Sequence, residues 1–546
     1  MEEARRRLGA RTSRRTRPRL TRSFQTPRQF GIAWSVSGND SYALPGPMEL
    51  GFVIDQRRCI GCHACTVACK AENDVPLGEF RTWVKYTEKG TFPQVRRHFT
   101  VLRCNHCDEA PCVEICPVVA LHKRPDAIVD LDRDLCIGCR ACMQACPYDA
   151  IYLNPHTLVA EKCHFCAHRT ELGLEPACVV VCPEEAIVAG DVSDPGSKIA
   201  TLIREQPTSR RRLEKGTKPR VWYVDALEES LTPGAAAEPS MWLWSDRRRA
   251  PRPVPGWEEP LDLRTTLNAD HPPAWGWHIW LYLWTKNVAA GLMLLAPLYA
   301  VLGVPNGGGA LPEIFALAFL AVTGFLLVHD LGRPERFLKI LFHPNAKSWL
   351  VKGTWVLVGF GALTSGALVL QLLEQPQIAQ ILRWINLPFA ALASGYTALL
   401  FAQCRGRDLW IEQGLFAQLV LQAGALGGLF GLMLLRRAED PGLFAPMAVA
   451  AFALSFANLA WTVVKLRGAR ESDGAARARD LILASRGIIP AFTGLAAAAV
   501  AAALALLNSR SADIAMLGLL GCAGLSIGLL LYERAFVNAG QEAPIS

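Results

Sequence analysis

The chain has 546 residues, a formal net charge of +8 at pH 7 and a hydrophobic content of 51 %. The length predicts two or three domains, and the hydrophobic content excludes an ordinary soluble enzyme. Apolar runs follow residue 275, whereas sixteen of the eighteen cysteines precede it. The composition therefore predicts a cysteine-rich soluble domain followed by a membrane domain. Since the arginines cluster at the N-terminus and beside apolar runs, we expect no nucleic-acid partner.

Residues 1–46 are rich in arginine, with proline and serine between the charges. Such a segment cannot bury a core and predicts a basic, disordered tail that could rest on anionic lipid. Arg14 and Arg15 suggest a twin-arginine export signal. However, no apolar stretch of signal length follows before residue 50, so we do not predict export. A wrongly assigned start codon is the alternative, and it would leave the tail without a function.

Four groups of four cysteines dominate residues 47–229. The third group reads CIGCRACMQACP, the C-x2-C-x2-C-x3-C-P spacing that binds a [4Fe–4S] cluster in bacterial ferredoxins. The first group has the same spacing without the proline, and the other two have wider spacings. The groups are Cys59, Cys62, Cys65 and Cys69; Cys104, Cys107, Cys112 and Cys116; Cys136, Cys139, Cys142 and Cys146; and Cys163, Cys166, Cys178 and Cys182.

Disulfides and zinc are the alternative interpretations of these cysteines. C-x2-C pairs in a chain without an export signal indicate metal or redox sites more than disulfides. A closed zinc site needs two separated pairs of ligands, whereas here four thiols fall within eleven residues. We therefore expect iron–sulfur clusters.

Short β-like runs precede the first and third groups, in the phrases GFVIDQRRC and AIVDLDRDLC. This repetition predicts two ferredoxin-like units, each with a strand that leads into a cluster loop. Pro117, Pro147 and Pro183 follow the last cysteine of a group and should stop each helix there. Residues 230–275 predict an extended linker against the membrane domain. In this linker Trp242, Trp244 and Trp257 would either anchor at the membrane interface or pack the linker onto its neighbour.

Eight apolar spans of about 20 residues predict an all-α membrane domain over residues 276–535, with a tail at 536–546. The spans are 277–303, 314–331, 349–373, 385–403, 415–435, 447–465, 488–507 and 514–533. Basic residues are concentrated in the loops after spans two, four and six. The positive-inside rule then places both termini and the cluster domain in the cytoplasm. Docking to an acidic subunit would be another cause of the same charge pattern.

The four cysteine groups, in this order and spacing, resemble the four-cluster iron–sulfur subunit of molybdenum or tungsten bis-pterin oxidoreductases. The resemblance covers about residues 50–225 and includes the phrase CPEEAIVAGDVSDPGSKIA. It implies four [4Fe–4S] clusters whose ligands are exchanged between the groups, giving four sets. The first set is Cys59, Cys62, Cys65 and Cys182; the second is Cys69, Cys163, Cys166 and Cys178; the third is Cys104, Cys107, Cys112 and Cys146; the fourth is Cys116, Cys136, Cys139 and Cys142.

The phrases WGWHIWLYLWTKNVAAG and HDLGRPERFLKILFHPNAKSWLVKGTW resemble the NrfD-like membrane anchor of polysulfide reductase. This resemblance implies an exchangeable quinone, bound near the face that carries the iron–sulfur domain. Two subunits that are normally separate would then be fused. The expected architecture is an α+β ferredoxin-like [4Fe–4S] domain followed by an all-α membrane domain of eight transmembrane helices.

Quinone conversion requires two electrons and two protons, so polar groups on the cluster-facing side are candidates for the quinone site. They are His278, Tyr282, His329, Asp330, Arg333 and Lys352. An ion pair between Asp330 and Arg333 that caps a tight loop is the structural alternative for those two residues. Lys286 and Asn287 lie deeper in the first span, where an ionisable group suggests function. We find no row of acids across the spans, so a dedicated proton pump is not predicted.

A two-haem anchor needs four axial histidines at two depths. His271, His278, His329 and His343 are the membrane-half histidines, and all fall on the predicted cluster side. We therefore expect no haem. Cys404 and Cys522, which lie outside the four groups, are expected to be packing residues.

The leading hypothesis is an electron-transfer and anchor subunit of the bacterial inner membrane, which connects a separate Mo/W bis-pterin catalytic subunit to the quinone pool. The second is an iron–sulfur/quinone module of a larger respiratory complex fed by a multihaem cytochrome or a hydrogenase. A third, a tethered cluster scaffold without redox turnover, predicts that quinone analogues leave cluster reduction unchanged. The partner's substrate and the direction of electron flow are not encoded here.

Overall fold

The computed structural model describes residues 48–236, 262–269, 272–301, 309–435, 441–468, 472–485 and 512–545. The expected basic tail, the three linker tryptophans, His271 and the span predicted at 488–507 lie outside these described residues.

Eleven strands are found in the described part of the first half and its linker. They are β1 Leu50–Asp55, β2 Thr82–Lys89, β3 Arg96–Arg103, β4 Leu121–Lys123, β5 Val129–Leu131, β6 Ile151–Leu153, β7 Ala160–Lys162, β8 Ile187–Asp191, β9 Thr208–Ser209, β10 Val221–Val224 and β11 Leu263–Leu267. A four-stranded sheet has the order β8-β1-β10-β9, with β1 parallel to β10 and antiparallel to β8. Every residue of β1 is buried, as its continuous apolar run predicts for a strand covered on both faces.

Seven short helices carry or flank the cysteine groups. They are α1 Ala64–Asn73, α2 Pro111–Ile115, α3 Ala141–Ala145, α4 Ala167–Thr170, α5 Ala177–Val180, α6 Lys198–Glu205 and α7 Glu228–Leu231. The helices α2 and α3 stop at Cys116 and Cys146, whose backbones are extended. The prolines that follow cause this stop, because proline disfavours a helical conformation at the preceding residue. No proline follows Cys69, and α1 continues to Asn73.

The described part of the predicted linker contacts both halves. Arg477, in the second half, donates to the Pro233 and Gly234 carbonyls, while residues 263–267 join the cluster domain. Strand β11 pairs antiparallel with β2 and forms a three-stranded sheet of order β11-β2-β3. Arg264 on β11 also forms an ion pair with Glu88 on β2 at 2.9 Å. Backbone pairing with an exposed strand edge therefore fixes this segment, which its proline and arginine content did not indicate.

The second half is helical. Its helices are α8 Trp277–Val301, α9 Leu311–His329, α10 Lys339–Phe342, α11 Trp349–Leu372, α12 Pro376–Ala402, α13 Leu415–Leu435, α14 Pro441–Arg467, α15 Asp473–Ala484 and α16 Ala512–Glu542. Among the described residues, α8, α9, α11 and α12 are long and apolar enough to cross a membrane, and α13 contributes a shorter apolar stretch. The first four predicted spans thus correspond to membrane-length helices.

Helix α8 lies at the centre of this bundle. In its apolar window 72 % is buried, against 17 % for α11. Gly291 of α8 meets Gly427 of α13 so closely that a Cβ at Gly291 would stand 1.8 Å from the Ala423 carbonyl oxygen. Small residues that permit such close contact are typical of helix packing in membranes.

Helix α12 begins at Pro376, earlier than the span predicted from 385. The difference arises at Arg383, which is 1 % exposed and which hydropathy alone would place in water. Its Nε donates to Glu313 Oε1 at 2.6 Å. A buried cation with a matched carboxylate can remain inside the bundle, so the helix extends past it.

The two halves meet at the turn Cys136–Cys139. The backbone N–H of Gly332 donates to the Gly138 carbonyl at 3.2 Å, and that of Arg333 to the Ile137 carbonyl at 3.0 Å. Gly138 has a φ of 70°, and a Cβ there would stand 2.5 Å from the Leu158 carbonyl oxygen and 2.8 Å from the Gly332 Cα. Glycine is therefore required at this position both by the backbone conformation and by the close contact.

This contact predicts that Gly138→Ala is more damaging than Gly173→Ala. Both glycines have similar positive φ values, but nothing lies within 4 Å of a Cβ at Gly173. We expect Gly173→Ala to destabilise by about 1 kcal/mol through backbone strain, and Gly138→Ala by about 2–4 kcal/mol because overpacking adds to the strain. Thermal unfolding followed by tryptophan fluorescence measures the difference. Equal melting temperatures for the two variants would contradict the close contact.

Candidate functional site

Two cavities in the first half are each surrounded by four cysteines. One cavity is lined by all four cysteines of the first set. The other is lined by all four cysteines of the second set. Three cysteines of the first group line one cavity and its last cysteine lines the other, and the fourth group is divided in the reverse way. Neither group therefore forms a site of its own. The seventeen cysteines among the described residues are free thiols.

The thiols of the third and fourth sets are likewise gathered by set. Burial raises the pKa of Cys107 well above its usual range, and the nearby Cys104, Cys112 and Cys146 add to the rise. For Cys142, the neighbours that raise the pKa after burial are Cys139, Cys136 and Cys116 of its own set, followed by Cys112 of the third set. Mutual effects of this kind are expected for thiols that lie near one another in a poorly solvated site. Across the described ranges, no three His, Cys, Asp or Glu side chains converge on a point that could hold one metal ion.

Electrostatic interactions between thiols of different sets indicate the order of the sets. Burial raises the pKa of Cys65, in the first set, to about 12, and Cys178 of the second set contributes. Burial also raises the pKa of Cys104, in the third set, and Cys163 of the second set adds to it. Burial likewise raises the pKa of Cys112, in the third set, and Cys116 of the fourth set adds to the rise. The order is therefore first, second, third, fourth.

The two ends of this row have different surroundings. Cys62 in the first set is exposed, and Cys59 and Cys182 are half-buried. At the other end, Arg336 Nη1 donates to the Cys136 carbonyl at 2.9 Å. Asn345 Nδ2 donates to the Cys116 carbonyl at 2.8 Å. The first set thus faces outward, and the fourth set faces the membrane domain.

The cavities fit the cofactor that the cysteine spacing predicts. Each is lined by four cysteines, and the second also has side-chain donors directed at their sulfur atoms. Arg103 Nη2 donates to Cys178 Sγ at 3.1 Å, and Asn73 Nδ2 lies 3.7 Å from Cys69 Sγ and 3.9 Å from Cys166 Sγ. Hydrogen bonds to the sulfurs and low solvent exposure are the features by which proteins hold and tune such clusters.

Beside the fourth set, a small polar cluster joins the two halves. His278 Nε2 and His329 Nδ1 are 2.9 Å apart, and His278 Nδ1 is 3.2 Å from Asp330 Oδ1. Arg140, which directly follows Cys139, forms an ion pair with Asp330 at 2.8 Å. If the neutral His278 donates from Nδ1 to Asp330, its Nε2 must accept from His329. The geometry therefore links the turn of the fourth set to two imidazoles at the start of the membrane domain.

Deeper polar groups continue from this cluster along α8. Tyr282 lies one turn below His278 and beside Thr397. Lys286, one turn further, is 1 % exposed, and its Nζ donates to Thr397 Oγ1 at 2.5 Å and to the Ser394 carbonyl at 2.8 Å. The ammonium therefore does not reach the surface along its stem, as snorkelling would require.

Asn287 extends the same network to an acid on α16. Its Nδ2 donates to Glu533 Oε1 at 3.3 Å, and its Oδ1 accepts from Ser394 Oγ at 2.9 Å. Glu533 is 3 % exposed, and its Oε2 has no hydrogen-bond partner among the described residues. No row of acids was predicted from the apolar spans, but here a buried lysine and a buried acid are linked through Ser394 and the Asn287 amide.

Two of the quinone candidates are placed apart from this cluster. Arg333 Nε donates to the Thr157 carbonyl at 2.8 Å, and its ion pair is with Glu335 at 3.3 Å. The expected Asp330–Arg333 pair is therefore replaced by Asp330–Arg140. Lys352 is exposed, with its Nζ 4.6 Å from the centre of the Trp349 ring. The Arg333 side chain thus contacts the cluster domain and its own loop, and the Lys352 side chain lies against the Trp349 ring.

Three contributors were missed from the sequence: Arg103, Arg140 and Glu533. Arg140 lies inside the CIGCRAC phrase, where the cysteines drew attention away from it. Glu533 is the last residue of a predicted apolar span, a position at which an acid is normally expected to face water. Only the pairing of Arg140 with Asp330, 190 residues away, reveals its role. A lone charge beside a predicted cluster or membrane span is the signal that could have identified them.

Comparison with known families matches both halves. Residues 50–71 match a 4Fe-4S binding domain and residues 95–192 a 4Fe-4S dicluster domain. Residues 266–537 match the family described as polysulphide reductase, NrfD. The described architecture, a cysteine-rich α+β half followed by a helical half, agrees with this division.

Relatives align with the first half. The B subunit of tetrathionate reductase from Salmonella typhimurium is 45 % identical over 35 % of this sequence and 78 % of its own length. Protein NrfC of Escherichia coli is 41 % identical over 36 % of this sequence and 94 % of its own length. The B chain of polysulfide reductase from Wolinella succinogenes is 41 % identical over 32 % of this sequence and 94 % of its own length. The protein therefore belongs to this family of iron–sulfur subunits, and it carries an NrfD membrane domain in the same polypeptide.

Proposed function

We propose that this protein is the electron-transfer and membrane-anchor subunit that connects a separate molybdenum or tungsten bis-pterin catalytic subunit to the membrane quinone pool. One observation carries the proposal. A row of four cysteine sets begins at the exposed Cys62 and ends at a turn whose neighbour Arg140 contacts the His278–His329–Asp330 cluster. The arrangement suits electron passage between a docked protein and a membrane-soluble carrier.

The four sets would bind four [4Fe–4S] clusters, with the ligands exchanged between the cysteine groups. When bound, such clusters accept and donate single electrons. The polypeptide supplies the thiolates, excludes water from most of them and holds the sets in sequence. Support comes from the two cavities, each of which is lined by all four members of a proposed set.

The quinone would bind beside His278, His329 and Asp330, with Tyr282 one turn deeper. Quinone and quinol differ by two electrons and two protons, so the site needs groups that hold protons next to the carrier's oxygens. Paired imidazoles and a carboxylate within hydrogen-bond distance of one another can do this. Lys286, Asn287 and Glu533 form a buried continuation that can store or supply a proton. Arg333 and Lys352 would contribute at the rim, through their contacts with Thr157, Glu335 and Trp349.

We further propose a domain division at 47–229, 230–275 and 276–535, and eight membrane-crossing helices. The protein would reside in the bacterial inner membrane with the cluster domain in the cytoplasm. The concentration of basic residues in the loops after spans two, four and six supports this orientation. That support is weaker for the loop after span two, because Arg336 and Lys339 donate to the Cys136 and Asp134 carbonyls and so have a docking role of their own.

The catalytic partner is inferred from the relatives. The tetrathionate reductase and polysulfide reductase relatives are, by name, subunits of reductases, and this protein resembles them around the cysteines. We expect purification of the native complex in mild detergent to recover a second polypeptide that contains molybdenum or tungsten. Mass spectrometry and metal analysis test this. A multihaem cytochrome or a hydrogenase in its place would contradict the assignment and favour a larger respiratory complex.

The four-cluster proposal predicts about sixteen iron atoms per polypeptide. Cys166→Ala should lower the iron content by about four, because one set loses a ligand. Cys404→Ala is the matched control, since Cys404 is fully buried but outside every set. Iron analysis and EPR of the dithionite-reduced protein measure both. A wild-type content of about eight or less, or equal loss from both variants, would contradict the assignment.

The quinone proposal predicts that His278→Phe slows quinol-dependent cluster reduction on the order of a hundredfold, the typical effect of removing an acid–base group. His343→Phe is the matched control, because His343 is exposed and is an equally placed histidine on the same side. Stopped-flow absorbance with a soluble quinol measures the rate. Reduction by dithionite should be unchanged in both variants. Equal quinol rates would exclude His278 from the site.

A further inference from the structure

Arg103, the last residue of β3, places a cation at the wall of the second cavity. It is 1 % exposed and lies among the linings of the second cavity. Its Nη2 donates to Cys178 Sγ and to Thr82 Oγ1, both at 3.1 Å. The Phe52 ring lies 4.1 Å from the guanidinium carbon. The side chain is therefore held on three sides and directed at one sulfur atom.

The charge of Arg103 has no carboxylate partner within the described ranges, and its Nε and Nη1 have no acceptor there. Arg81, which lines the same cavity, differs in this respect because it pairs with Glu161 at 2.7 Å. A buried cation without a counter-charge is strongly destabilising. The compensating negative charge must come from the thiolates that surround the cavity.

Asn73 reinforces this arrangement from the opposite side. Its Nδ2 faces Cys69 and Cys166, and its Oδ1 accepts from Arg81 Nη1 at 3.2 Å, which fixes the direction of the amide. Asn73 reaches the cavity because α1 continues beyond Cys69. Three of the four sulfurs of the second set are thus contacted by side-chain donors, one from the buried Arg103 and two from the half-buried Asn73.

We propose that Arg103 is a positioning residue of the second set, which holds Cys178 and raises the midpoint reduction potential of the cluster bound there. The inference rests on the proposed four-cluster function. Reduction adds one negative charge to a cluster, and a nearby cation together with N–H···S hydrogen bonds stabilises the more negative form. The exposed first set and the buried second set would therefore differ in potential through side chains that are not ligands.

The test is an EPR-monitored redox titration of the purified full-length complex. Arg103→Met removes the charge and the hydrogen bond, and it should lower one of the four midpoint potentials. We expect at least a tenfold change in the reduced-to-oxidised ratio, which is about 59 mV for one electron. The shifted signal should be the one that Cys166→Ser alters. Arg103→Lys keeps the charge but loses the planar guanidinium with its several N–H donors. Its shift in midpoint potential should therefore have the same sign as that of Arg103→Met and be smaller.

Arg96→Met is the matched control, because Arg96 is exposed at the start of the same strand. It should leave all four potentials unchanged. Unchanged potentials in Arg103→Met, or a shift in a signal that Cys166→Ser leaves alone, would overturn the proposal. If the Arg103→Met protein does not accumulate, the Arg103→Lys variant serves as the test. Unchanged potentials in that variant would then overturn the proposal. A wild-type titration with fewer than four clusters would instead refute the four-cluster function.

Discussion

Hydrogen bonds to the peptide carbonyls of the Cys136–Cys139 turn are the constraint on which the arrangement of this protein depends. Donors from Trp275, Gly332, Arg333 and Arg336 satisfy all four carbonyls. Buried carbonyls without donors would be costly, so the turn and the membrane-domain loop must remain together. The fourth set and the His278–Asp330 cluster consequently keep a fixed separation. Electron transfer needs a short and constant distance between donor and acceptor. A flexible tether between the two halves would let that distance vary.

The local features of this fold were predictable from the sequence, because they arise from local chemistry. Cysteine spacing indicated the cluster domain, and the prolines after Cys116 and Cys146 indicated where helices stop. The membrane-length helices followed from runs of apolar residues. The strand β11 was not predicted, because its pairing with β2 depends on residues about 175 positions earlier, and no local pattern in residues 263–267 records that partner.

The partners of the charged residues were the least predictable part of the candidate site. Nearness in sequence suggested Arg333 for Asp330, but the tertiary fold brings in Arg140. Likewise Arg383 reads as the edge of a membrane span until Glu313 is seen beside it. Charge pairing over long sequence distances is decided by packing, and a single sequence contains no record of packing. The histidines and Asp330 could be assigned to one face of the membrane domain, but their mutual contacts could not.

Two short helices beside the cavities, α1 and α5, each serve two sets. Helix α1 carries Cys65 and Cys69, which line different cavities, and Cys178 and Cys182 at α5 are divided in the same way. Fraying of one such helix would release thiols from two neighbouring centres together. Loss of one such helix should therefore disturb two neighbouring sets together, whereas loss of a single ligand such as Cys166 should disturb only its own set.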